Sequence, residues 1–379
     1  MAQPLRPFGL ERYLAPREFR CELQLCCSDS ESWNMVELLE MLDEDTKSRW
    51  KDLRLGYTTT QGLPELREEI AKVHFTKVDA DDMVLDAPGD AMFVAMTALL
   101  SAGDHVVCTL PGYQSLYETA RSLGYEPGSL RFDPADLAKL VRPNTRLIVV
   151  NFPHNPTGFL PTHAEWEAVV DTARGCGAFL FADEMYRYIE LDAADRLTPA
   201  ADAYERGVSL GGLSKNVGMP GLRIGWVACR DKQALQRILE VKDFTTICCS
   251  APSEIISLGV LRQWDTIMER QMGIIRTNVA ALQAFAERWG GLVSLSISRG
   301  GTITFPRITL PEGHTVEALS DQLLEEEGTF VLPGSAYQAP GFDDRFRLGY
   351  GRSNFPQALA ALEAFLDRHY AEHKTKTSA

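Results

Sequence analysis

Between about residue 82 and residue 230, short and nearly unbroken apolar runs alternate with longer stretches of helical period. The runs are Met83–Leu85, His105–Leu110, Arg146–Phe152, Ala178–Ala182, Val208–Leu210 and Arg223–Ala228. A strand with one wet face would alternate apolar with polar residues. Continuous apolarity instead predicts strands covered on both faces. Segments 90–101, 113–123, 163–175 and 232–243 lie between the runs and read as helices. Repeated strand–helix units predict an α/β large domain of three layers, a mostly parallel sheet flanked by helices. Ligands of such sheets collect at the carboxyl ends of the strands, so polar motifs just after the runs are the candidates for chemistry.

The last third has a different rhythm. Strands are expected near 292–297, 302–308, 328–332 and 345–349, with helices at about 315–326 and 355–371, a smaller α+β arrangement. Residues 1–45 carry no strong period and are expected to fold back onto it. The predicted division is a large domain of 46–285 and a small domain of 1–45 plus 286–379 that closes over a substrate. The polar tail 371–379 is expected to fray.

Composition narrows the function classes. Across 379 residues the chain is 45% hydrophobic and 24% charged, an ordinary globular balance. Its formal net charge of -14 argues against a nucleic-acid partner, which calls for a basic face. No apolar run reaches the ~18 residues of a membrane span, and the start, Met1–Phe8, lacks the pattern of an export signal. The eight cysteines include the doublets Cys26-Cys27 and Cys248-Cys249 and no Cys-x-x-Cys pair. That layout suits neither a zinc site nor a disulfide framework, so buried, reduced thiols and a cytoplasmic location are expected.

Four polar motifs follow or accompany the predicted strands: Asn151–Gly158, Ala182–Tyr186, Leu210–Gly225 and Phe346–Arg352. Singly each has a bland structural explanation, such as turn chemistry at Asn155-Pro156 or capping by Asp183. Jointly and in this order, they resemble the signatures of class I/II aminotransferases, the aspartate-aminotransferase-like group of fold-type I pyridoxal-phosphate enzymes. The resemblance runs from about residue 50 to 370. It rests on Gly56–Arg67, Pro111-Gly112-Tyr113, Asn155–Gly158, Asp183–Tyr186, Ser214-Lys215, Arg223 and Arg347.

The chemistry of these residue types fits the resemblance. A lysine amine, here Lys215, forms a reversible Schiff base with an aldehyde cofactor and afterwards moves a proton at the substrate Cα. Asp183 would keep the cofactor's pyridine nitrogen protonated. By resemblance, Asn155 and Tyr186 bond the ring's phenolate oxygen and Tyr113 stacks on the ring. Arg223, with Ser214 beside the lysine, would hold the phosphate. Tyr57 resembles a tyrosine that reaches the phosphate from a partner subunit, which implies a homodimer. Arg347 resembles the arginine that forks onto the substrate α-carboxylate, with Asn155 beside it.

Two positions depart from the family pattern. Gly212 stands where a phosphate-binding Ser or Thr is frequent. The loop Asp86–Ala91 admits two registers, one with Pro88 at a donor position and one offering the Gly89 and Asp90 amides to the phosphate. The second is preferred, because it uses a helix N-terminus. His154 reads better as structural than as an acid–base group. Gly300-Gly301 reads equally as a substrate-side lining or a bend. The acidic stretch around Trp33, with Asp29 and Glu31, is expected to be solvated surface. The sharper alternative is recognition of a basic side chain such as that of arginine or ornithine.

The expected activity is transfer of an amino group between an L-amino acid and a 2-oxo acid through pyridoxal 5'-phosphate, without a metal. Another outcome on the same cofactor stays open, namely elimination, cyclisation of an arginine derivative or O2-dependent oxidation.

Overall fold

The computed structural model describes residues 4–21, 23–123, 127–130 and 134–374. The tail beyond Lys374 and the first three residues, on which the fraying and export-signal expectations partly fell, lie outside the described residues.

Among the described residues seven strands form the central sheet: β1 (Met83–Asp86), β2 (His105–Thr109), β3 (Pro127–Leu130), β4 (Thr145–Asn151), β5 (Phe179–Asp183), β6 (Gly207–Gly212) and β7 (Gly225–Cys229). Their spatial order is β1-β7-β6-β5-β4-β2-β3. The core from β6 through β5, β4 and β2 to β3 is parallel, and β7 runs antiparallel to both β6 and β1. Every residue of β1, β2, β5, β6 and β7 is buried, as their continuous apolarity requires. Strand β3 had no signal: Pro-Gly-Ser-Leu carries no apolar run, and it sits at the sheet edge.

Helices cover both faces. Pro88–Leu99 and Lys232–Lys242 pack against each other over one apolar cluster with β2, β6 and β7. His163–Cys176 covers the other face with Trp166, Val169 and Val170 against Ile148 and Leu180. That helix starts on a capping box between Thr162 and Glu165 and ends at Gly177 with φ +70°. Both ends follow the usual rules for satisfying orphan backbone groups.

The C-terminal third is built as expected, on the helices Val316–Glu327 and Phe355–His369. Its strands are shorter than the sequence suggested. Ile303–Thr304 and Leu332–Pro333 flank Phe346–Gly349, and Arg307–Ile308 pairs with Val293–Ser294. The N-terminal segment folds back onto this part, with Leu10, Leu14, Cys26 and Cys27 packed among Phe305, Phe330, Leu332 and Tyr337. Two helices run through the positions chosen as divisions, Glu44–Lys51 across 45/46 and Trp264–Trp289 across 285/286. All eight cysteines are free. Cys26, Cys27, Cys108 and Cys229 are buried, and the other four are half-buried rather than buried.

Candidate active site

Strands β4 and β5 end level with each other, Asn151 opposite Asp183 in the parallel register. Lys215 follows three residues after β6, the next strand over. A cavity of about 380 Å³ opens above these strand ends, between the sheet, the N-terminal segment and the C-terminal third. Such a volume is that of a small-molecule site. Lys215, Asp183, Asn155, Tyr186, Tyr113, Ser214, Arg223, Gly89 and Arg347 all line it. The structure therefore brings together residues that the sequence scatters from 89 to 347.

Tyr57 and Asp90 are absent from that wall. Tyr57 is 89% exposed and shares a separate depression with Leu55, Cys248 and Cys249. The Asp90 side chain stands in solvent, while its backbone, whose amide is the group expected at the phosphate, belongs to the first turn of Pro88–Leu99.

Charge in the cavity is governed by burial. Asp183 is 5% exposed, and its carboxyl is pushed up to about 6 by burial, against the backbone N–H of Met185 and the nearby Lys215. The Lys215 amine is held below its ordinary value, first by burial, with Asp29 pulling the other way. Lys215 Nζ lies 3.0 Å from Ser28 Oγ. Burial also pushes the Tyr113 phenol up to about 12, assisted by Glu11 and Asp183.

Arg347, on the strand Phe346–Gly349, is 3% exposed and is oriented in advance. Its Nε and Nη2 donate to the carbonyl of Cys26 at 2.9 and 2.6 Å. Its Nη1 donates to Asn155 Oδ1 at 3.3 Å and to Tyr337 Oη at 3.1 Å. Tyr337 Oη donates to the same Asn155 oxygen at 2.8 Å. The Asn155 carbonyl is thus consumed, which leaves its NH2 as the group available to a ligand.

The end near β6 and β7 answers the question of register. Pro88 occupies the first helical position, where a missing N–H costs nothing. The N–H groups of Gly89 and Asp90 follow in the first turn and have no acceptor within the helix. A Cβ built on Gly89 would meet open space. Arg223, exposed and in the left-handed region at φ +54°, turns its Nη1 onto the carbonyl of Pro220.

The N-terminal segment supplies one wall, and most of what the sequence reading missed. Leu25 O accepts from Gly349 N at 2.7 Å, and Glu31 N donates to Gly351 O at 2.9 Å. Neither Gly349 nor Gly351 tolerates a side chain, since a Cβ would stand 1.5 Å from Cys27 O or 2.3 Å from Asp29 O. Ser28, Cys26 and Arg352 enter the wall this way, with Glu11 and Glu18 from the region of the helix Gly9–Leu14. Only pairing across more than 300 residues reveals them.

The expectation of a solvated acidic stretch needs correcting. Asp29 is buried, and both its oxygens hold Arg352 Nη2 at 3.2 and 3.1 Å. Glu31 caps Ser353 through its N–H and hydroxyl and does not line the cavity. Trp33 is turned away, its Nε1 donating to Val217 O and its ring stacked under Arg270. His154 also lies off the wall, its ring bonded to Thr157 Oγ1 and held down to about 4 by burial, in keeping with a structural role. Gly301, at φ +87°, backs Tyr186 rather than lining the cavity.

The residues fit the cofactor the sequence implies. The Ser214 hydroxyl is buried on the cavity wall without a hydrogen-bond partner, and the buried Tyr186 hydroxyl has that of Ser28 beside it, so a ligand with acceptors would satisfy the first and add to the second. The buried Asp183 carboxylate calls for a cation, which a protonated pyridine nitrogen provides. Among the described residues no cluster of His, Cys, Asp or Glu could hold a metal ion, and no helix is long and apolar enough to cross a membrane.

The chain is similar to several known proteins. The family described as aminotransferase class I and II matches residues 37–362. Capreomycidine synthase from Streptomyces vinaceus is 29% identical over 97% of this chain and 95% of its own length. An aspartate aminotransferase from Pyrococcus abyssi is 27% identical over 82% of each chain. Among solved structures, a PLP-dependent aminotransferase from Streptococcus suis superposes with a TM-score of 0.88 at 26% identity, covering 97% of this chain and 99% of that one. The PLP-dependent cyclase OrfR superposes with 0.87, at the same identity and coverage.

Proposed function

The chain belongs to the class I and II aminotransferase family and is a pyridoxal-phosphate-dependent enzyme; on that premise we propose that it moves the amino group of an L-amino acid to a 2-oxo acid in two half-reactions at the Lys215 amine. The observation that carries this reading is the convergence of Lys215, Asp183 and Arg347 on one cavity. Pyridoxal 5'-phosphate, when bound, withdraws electrons from the substrate Cα through its ring.

The protein's own residues divide the remaining work. Asp183 keeps the ring nitrogen protonated, because its buried carboxylate is stabilised by a cation beside it. Lys215, its basicity lowered by burial, takes the Cα proton and returns it. Arg347 receives the α-carboxylate in an orientation set by Cys26, Asn155 and Tyr337. The Asn155 amide and the Tyr186 hydroxyl donate to the ring oxygen, and Tyr113 covers the ring face. Ser214, Arg223 and the first-turn amides of Gly89 and Asp90 take the phosphate. Residues 1–45 with 286–379 close over the substrate held by 46–285.

The homodimer belongs to the same proposal. The exposed Leu55 and Tyr57, in a depression beside Cys248 and Cys249, suit a second copy that receives Tyr57 at its phosphate. Free cysteines suit the reducing cytoplasm.

A second reading has its own support: cyclisation or elimination on an amino acid with a cationic side chain. Capreomycidine synthase matches nearly the whole chain, and a cyclase is among its structural neighbours. The Glu11 and Glu18 carboxylates on the cavity wall would attract such a side chain.

Product analysis separates the two. The loaded enzyme is incubated with the common amino acids, ornithine, arginine and a β-hydroxylated arginine, which carries the hydroxyl that an elimination must expel, with 2-oxoglutarate or pyruvate as acceptor. Formation of the matching 2-oxo acid supports transamination. Ammonia release, or a product that keeps its nitrogen and loses water, supports the second reading. No product from any of them removes both.

A further inference from the structure

Ser28 lies outside the residues that match the family, 37–362, so nothing carried by family membership assigns it a task. Its hydroxyl nevertheless stands 3.0 Å from Lys215 Nζ, on the cavity wall. The position is fixed from several sides. The Ser28 carbonyl accepts from Thr302 Oγ1 at 2.8 Å, and two residues on, Ser30 N donates to the carbonyl of Lys215 itself at 3.0 Å. The neighbouring carbonyls of Cys27 and Asp29 press against Gly349 and Gly351, where any Cβ would collide with them. Ser28 is 8% exposed, so water does not compete freely for its hydroxyl.

We propose that Ser28 is a positioning residue for the Lys215 amine, a hydroxyl dock that holds Nζ in its free state whether or not the amine is protonated. The inference rests on the reading of Lys215 as the proton-moving group and adds the partner that reading lacks. A serine hydroxyl is both donor and acceptor. Toward the neutral amine it donates to the nitrogen lone pair. Once the amine has taken a proton, the hydroxyl rotates and accepts from the ammonium. No bond of Ser28 is made or broken, and the proton stays on Nζ until it is delivered. Because a hydrogen bond to a charged group is about twice as strong as a neutral one, the dock favours the ammonium overall and partly offsets the cost of burying it.

The test reads the lysine directly and needs no turnover. The full-length chain is freed of cofactor and labelled with an amine-directed reagent across a pH series, and modification at Lys215 is followed by peptide mass spectrometry. Ser28→Ala should move the midpoint of the Lys215 profile to lower pH, and Ser28→Thr, which keeps the hydroxyl, should restore it. A Ser28→Ala profile that coincides with the unaltered chain overturns the proposal. So does a shift that Ser28→Thr fails to restore, since that would mark lost packing rather than a lost hydroxyl. The underlying reading fails separately, if Lys215→Ala reconstituted with pyridoxal 5'-phosphate keeps the visible absorption band of the intact protein.

Discussion

The ring of Pro88 crowds the position that a side chain on Gly212 would take. A Cβ on Gly212 would stand 3.1 Å from Cγ of Pro88, with Met185 Cε also at 3.1 Å and Gly225 Cα at 3.2 Å. A Cβ on Gly225, paired with Gly212 across β6 and β7, would stand 2.8 Å from the same ring. Two departures from the family pattern, far apart in sequence, are therefore neighbours in space: the proline at the helix start is one of three groups that crowd a side chain at 212.

This coupling can be tested by a double substitution. Gly212→Ser alone is overpacked and should lose about 1–3 kcal/mol of stability. Adding Pro88→Ala removes one of the three contacts, and the pair should recover part of the loss. Thermal unfolding of the three variants measures it. Additive effects would show that the two positions do not crowd each other.

Burial of Asp183 predicts a pH dependence of the cofactor-free chain. Its carboxyl is raised to about 6 in the folded protein, so the stability it contributes is complete below the ordinary carboxylate range. That stability drains away as pH rises from about 4 through about 6, by about 3 kcal/mol in all. Glu184, pushed up to about 7 by burial, acts in the same direction, so the informative comparison is with Asp183→Asn. The unaltered chain should lose melting temperature relative to Asp183→Asn between pH 4 and 7. Parallel curves would contradict the assignment.

The acidic residues of the N-terminal segment should behave as two classes. Asp29→Asn removes the partner of Arg352 and should lower activity equally on basic and neutral amino acids, with about 1–3 kcal/mol of stability lost. Glu11→Gln with Glu18→Gln should raise KM about tenfold for basic amino acids and leave neutral ones within about twofold, if the second functional reading holds. Steady-state kinetics on arginine and alanine decide both points.

A shared active site predicts complementation. Tyr57→Ala and Lys215→Ala should each abolish or strongly depress turnover. Co-expressed, they should form mixed dimers in which one site has both residues, recovering up to about a quarter of the activity for random pairing. Absence of recovery in a mixed dimer confirmed by native mass spectrometry would place Tyr57 outside the partner's site.

The order of layers was written in the chain. Strands buried on both faces must be apolar throughout, so β1, β2 and β4–β7 announced themselves, and the motifs after them marked where Asn155, Asp183 and Lys215 would meet. Strand β3, Pro-Gly-Ser-Leu, carries no apolar run and gave no such signal, whereas the opposite edge strand, β1, did. The N-terminal wall was equally silent. Ser28, Cys26 and Arg352 matter because residues 25–31 lie against Gly349 and Gly351, a pairing fixed by carbonyl-to-glycine contacts across more than 300 positions. The acidity of Asp29 was visible in the sequence. That Arg352 neutralises it was not, because the sign of a residue's influence depends on what stands within a few ångströms. Local periodicity is set by neighbours along the chain; charge pairing, the crowding of Gly212 by Pro88, and the hold of Ser28 on Lys215 are set by neighbours in space, and only folding brings those together.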